Sequence, residues 1–183
     1  MRRKDFKRIH SMALAGVMAA VLCVLAPFSL PVGPIPISFT TLLLYLALYG
    51  LGWKLGTVSC LVYVLLGAVG MPVFAGYQGG FAVLAGPTGG YIAGYLPMVV
   101  VAGLAIDRGQ ARWIQLLGLV AGTALCYLMG TAWFCCSTGS SLQGALILCV
   151  VPFLPGDMLK IGAALAAGPG LRRRMERAEL IKR

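Results

Sequence analysis

Apolar runs follow one another along almost the whole of this 183-residue chain, parted only by short breaks. A helical membrane span needs about 20 apolar residues. Inside lipid only helices and closed barrels satisfy every backbone donor and acceptor. With 60% hydrophobic and 11% charged residues, and a mean hydropathy of +0.90, the chain has too little polar surface for a water-soluble fold. The expectation is an all-α integral membrane protein, a compact bundle of about six transmembrane helices. Residues 1–183 then make a single domain, with no room for a soluble one.

The net charge of +10 is placed, not spread. Basic residues stand at Arg2, Arg3, Lys4, Lys7 and Arg8, at Lys54, at Arg108 and Arg112, and from Arg172 to Arg183. In a six-span bundle all of these fall on one side. The turns of the other side, around Pro31–Pro36, Met71–Pro87 and Ser137–Gln143, carry no charge. An excess of Lys and Arg marks cytoplasmic loops, so a multi-pass protein of the cell membrane with both termini cytoplasmic is expected. The basic tails face anionic lipid or an acidic partner, and nucleic acid is not an expected partner.

Taken in order, a basic start and the apolar run Met12–Leu30 resemble a signal peptide, but the run is too long and further spans follow, so it is read as a retained first helix. Its small residues Ala13, Ala15, Gly16, Ala19 and Ala20 suit close helix packing. Ile37–Gly50 and Leu55–Gly70 are expected as the second and third spans, with Trp53-Lys54 at the interface between them. Met71–Gly90 is rich in glycine yet apolar, which suits a loop folded back over a site at membrane depth. Tyr91–Ile106 is the fourth span, kinked at Pro97, and Trp113–Cys136 the fifth. The sixth is expected to stop at Gly168-Pro169-Gly170.

That sixth run, from Ala145 to Ala167, contains Asp157 and Lys160. A charge at the centre of a membrane helix costs roughly 2.5–3.5 kcal/mol on insertion scales. Opposite charges three apart share a helix face and offset part of each other's cost. Pro155-Gly156 just before them is expected to loosen or break the helix and free backbone groups for a ligand. Two readings are open, an ion pair that joins helices and a polar site for a solute, and the default for an intramembrane ionisable residue is the site. Other chemistry has little to work with. His10 is the only histidine and lies in the basic tail, so a metal centre lacks ligands. The six cysteines form no C-x-x-C pair and suit packing. No G-x-x-x-x-G-K-[ST] motif is present.

Three stretches resemble the signatures of the BioY family: Leu65–Gly76 (LLGAVGMPVFAG), Gly86–Tyr91 (GPTGGY) and Pro155–Lys160 (PGDMLK). All three occur in order along nearly the whole chain. The resemblance implies a biotin-binding S component of an energy-coupling factor (ECF) transporter. Such a protein binds biotin from outside and works beside a transmembrane coupling protein and two ATP-binding cassette ATPases. It implies that Asp157 and Lys160 contact biotin, with Gln78 at a polar position of the glycine-rich loop that caps the site between the third and fourth helices. Small residues on the first helix, Ala15 and Ala19, would face the coupling subunit. One departure is Thr40, where relatives commonly carry glutamine. Biotin presents a cyclic urea whose N–H groups suit Asp157 and whose carbonyl suits Lys160 or Gln78, while Phe74, Tyr77 and Tyr91 suit its apolar parts. No cofactor is implied; biotin is the cargo. The rival readings are an S component for another vitamin, a membrane-embedded transferase using Asp157 as base, and a structural subunit that binds no small ligand. The transferase lacks a second carboxylate or membrane histidine to share the chemistry.

Overall fold

The computed structural model describes residues 3–30, 36–109 and 111–178. Most of the uncharged Pro31–Pro36 turn and the extreme ends of the basic tails lie outside them. The helices run α1 (Arg3–Leu25), α2 (Thr40–Ala68), α3 (Phe81–Ala85), α4 (Gly89–Arg108), α5 (Arg112–Thr138), α6 (Leu142–Cys149) and α7 (Leu154–Arg177). The only strands among the described residues are β1 (Ser29–Leu30) and β2 (Ile37–Ser38), an antiparallel pair that brings Ser29 opposite Ser38. The protein is an all-α multi-pass membrane fold. Among the described residues, three helices (α2, α4 and α5) are long and apolar enough to cross a membrane, and a fourth span is added if α6 and α7 count as one.

The stretches expected as second and third spans fall in the two arms of α2. Gly52 parts them with φ 81° and ψ 172°, a conformation that a side chain would resist. The chain reverses there, because Leu48 of the first arm packs directly on Gly56 of the second. A straight helix would hold those residues about 12 Å apart.

The expected break in the last apolar run is present, but Pro155 does not lie within it; it stands in the first turn of α7, where its missing N–H has no helical partner to lose. The break lies just upstream, where α6 and α7 meet at 52°. Nor does Gly168-Pro169-Gly170 end the helix, which runs on to Arg177. Tertiary contacts hold that last stretch. Leu171 and Met175 pack over Gly50, and Arg172 donates to the Ile106 carbonyl at 3.3 Å.

The glycine-rich segment is tied down on three sides and carries the short helix α3. Gly80 N–H donates to Gly67 O at 2.7 Å, Gly76 N–H to Pro27 O at 2.9 Å, and the Trp133 indole to Gly86 O at 2.9 Å. Phe74 packs on Gly67 so closely that an added Cβ would lie 2.1 Å from its ring. The ring also meets Tyr63 edge-on, with centroids 5.7 Å apart.

Candidate functional site

A cleft opens where α2, α4, α5 and α7 approach the glycine-rich segment. It has two adjoining halves, which share Pro36, Ser38, Tyr91 and Tyr95. The half beneath the loop is walled by Tyr63, Phe74, Gln78, Val83, Thr88 and Ile92. The other half holds the charges, with Asp157 and Lys160 beside Thr41, Cys126, Tyr127, Cys149 and Phe153. Ligand pockets are commonly mostly apolar, with a few polar groups that fix orientation. This cleft has that character.

Asp157 sits in the first turn of α7, where the helix dipole favours a negative charge. It is 7% exposed. Its Oδ1 accepts from Lys160 Nζ at 2.8 Å, and more distantly from Thr41 Oγ1 at 3.5 Å. Its Oδ2 accepts from the Tyr127 hydroxyl. Charge-assisted bonds of this kind are the stronger ones, and they give both oxygens of the buried carboxylate a partner.

Of the residues singled out from sequence, Asp157, Lys160, Tyr91, Phe74 and Gln78 line one half or the other. Tyr91 lies between the halves and shares a hydrogen bond with Thr131 at 3.1 Å. Gln78 is exposed at the loop edge, and its backbone carbonyl accepts from Phe74 N–H at 2.9 Å. Tyr77 lines neither half. It is exposed, has φ 59°, and sets its ring edge-on to Phe28 at 5.8 Å. Thr40 is buried and accepts from the Ser38 hydroxyl at 2.9 Å, so it serves the entry to α2.

Ala15 and Ala19 do not face outward as expected. They are 3% and 1% exposed, and the Ala15 carbonyl accepts from Ser59 of α2 at 2.9 Å. The outward face of α1 carries Met12, Gly16, Ala20 and Val24 instead, with Gly16 and Ala20 one residue along and about 100° around the helix from that inner stripe.

Tyr127, Tyr95 and Thr41 belong to no motif, and sequence reasoning passed over them. A signal was available. Thr123, Tyr127 and Thr131 recur every four residues in apolar α5, and Thr41, Tyr45 and Tyr49 do so in α2. Such spacing puts polar groups on one helix face. Tyr45 bonds Thr123, Tyr127 bonds Asp157, and Tyr91 bonds Thr131.

Fold and cleft together define a class: a multi-pass membrane protein with a small-solute cleft among its helices. The BioY family model matches residues 1–177. The biotin transporter BioY of Thermotoga maritima is 37% identical over 150 residues, covering 82% of this chain and 88% of that protein. The probable biotin transporter BioY of Pyrococcus horikoshii is 39% identical over 159 residues, covering 86% and 93%. A 2.1 Å crystal structure of the S-component for biotin from an ECF-type ABC transporter matches with a TM-score of 0.83 at 26% identity, over 94% of this chain and 95% of that one. The chain belongs to the BioY family.

Proposed function

We propose that this protein is a biotin-binding S component that delivers biotin through an ECF-type ABC transporter. The observation that carries the reading is the Asp157–Lys160 pair held at 2.8 Å in an aromatic-walled cleft. The named functions of the similar proteins support it. Residues 1–183 act as one substrate-binding domain of six spans: α1, the two arms of α2, α4, α5, and α6 with α7. Both termini are cytoplasmic, in keeping with the basic residues at Lys54, Arg108, Arg112 and Arg172–Arg174.

Biotin enters from outside, and the glycine-rich loop caps it. Asp157 accepts a ureido N–H, Lys160 or Gln78 donates to an oxygen of the ligand, and Phe74 and Tyr91 pack on its apolar ring and tail. The protein itself is a transport subunit and carries out no bond-making step. Energy comes from two ATP-binding cassette ATPases through a transmembrane coupling protein. That protein docks on the outward α1 face of Gly16 and Ala20, whose small side chains permit close helix approach. Membrane lipid surrounds the remaining outer surface.

Equilibrium binding of labelled biotin to the purified protein in nanodiscs, with thiamine and riboflavin as competitors, tests this reading. Tight binding displaced by unlabelled biotin alone is expected. A folded protein that binds thiamine or riboflavin in preference, or none of the three, would overturn it.

A further inference from the structure

Tyr127 lies outside the three stretches that carry the resemblance, yet it meets Asp157 directly. An ionised carboxylate offers about four acceptor positions, two on each oxygen. At Asp157 the two on Oδ1 are taken by Lys160 at 2.8 Å and Thr41 at 3.5 Å, from α7 and α2. Tyr127, from α5, takes one on Oδ2. The position left open is on Oδ2, beside the Tyr127 hydroxyl, where both residues line the cleft. The same two residues also border an apolar groove between α5 and α7, with Leu154, Met158 and Ile161. Tyr127 is thus part of the wall between the cleft and the outer surface of the bundle, and its hydroxyl holds the oxygen that Lys160 does not.

We infer that Tyr127 is a positioning residue for substrate recognition: it pins Oδ2 so that Asp157 accepts one N–H donor of the bound ligand. This rests on the reading of the cleft as the biotin site. A cyclic urea carries two N–H groups, one on each side of its carbonyl. A carboxylate with one open position engages one of them, so the site distinguishes the two. If Tyr127 were absent, the carboxylate would be held through Oδ1 alone and could turn, and both affinity and that distinction would fall.

The test uses biotin and its two singly N-methylated ureido isomers, with wild type, Tyr127→Phe, Asp157→Asn and the double variant in nanodiscs. Wild type is expected to bind one methylated isomer at least about tenfold more weakly than the other, the size expected for a hydrogen bond to a charged group. Tyr127→Phe keeps the ring in the wall, and is expected to weaken biotin about tenfold and to narrow the preference between isomers. The double variant is expected to bind no worse than Asp157→Asn, since the two residues act as a unit. A Tyr127→Phe protein with a lowered melting temperature but unchanged affinity and preference overturns the inference, because a wall residue alone would behave that way. Equal rejection of both isomers by wild type overturns it without any variant. Absence of biotin binding by folded wild type overturns the proposed function and this inference with it.

Discussion

Asp157 with Lys160 and Asp107 with Arg172 are both carboxylate–cation pairs, set at different places in an apolar bundle, and their surroundings differ. Asp107 Oδ2 accepts the backbone N–H of Trp53 at 3.0 Å, just past the Gly52 reversal. Arg172 approaches Asp107 at 3.9 Å, and also donates to the Ile106 carbonyl and to Glu176 at 3.3 Å each. Nearby, Gln115 joins the Tyr49 hydroxyl to the Gly109 carbonyl, both at 2.9 Å. Several of these bonds end on backbone, and they fasten the turn of α2 and the end of α7 to the end of α4. Asp157 is held by side chains from three helices and borders open space. A carboxylate bonded to backbone is committed to the fold. One held by side chains at a cleft wall can also receive a ligand.

The comparison predicts different phenotypes. Lys160→Ala should have the largest effect, since breaking a buried pair by removing one partner costs about 3–5 kcal/mol. Biotin binding should fall at least about tenfold by equilibrium titration, with lower thermal stability. Asp157→Asn comes next: binding weakens at least about tenfold, and the melting temperature falls as well, because Lys160 is left without its charge partner. Unchanged affinity in that folded variant would make the pair structural and erase the contrast. For Asp107→Asn the expected loss is in stability, about 1–3 kcal/mol for a disturbed buried bond. Its biotin affinity should stay within about twofold, and a tenfold loss there would break the comparison from the other side. Gln78→Ala should be mildest, a few-fold weaker binding from one lost exposed bond worth about 1 kcal/mol.

Much of the candidate site was legible in sequence because an isolated charge in an apolar run has few explanations. Asp157 and Lys160 share a face at spacing three, and the structure brings them into one ion pair. Tyr127 was not legible as their partner. Its spacing with Thr123 and Thr131 defines a polar face of α5, but nothing in that spacing says which helix lies opposite. The same ambiguity turned Ala15 and Ala19 inward, since small residues at spacing four suit an internal contact as well as an external one. Tyr77 lies outside both cleft halves, and as a loop residue it has no helical period to aim it.

By itself the amino-acid sequence determined the solvent this protein lives in, the approximate helices, the buried charged pair and the family. These follow from hydropathy, short-range spacing and local motif, all properties of neighbours along the chain. Tertiary structure alone decided that Gly52 reverses α2, that Pro169 stays helical, which face of α1 is exposed, and that Tyr127 and Thr41 close around Asp157. Those outcomes depend on side chains distant in sequence, such as Leu48 on Gly56, Met175 over Gly50, and Tyr127 thirty residues from its carboxylate partner. Helical periodicity sets which residues share a face; only packing sets what that face meets.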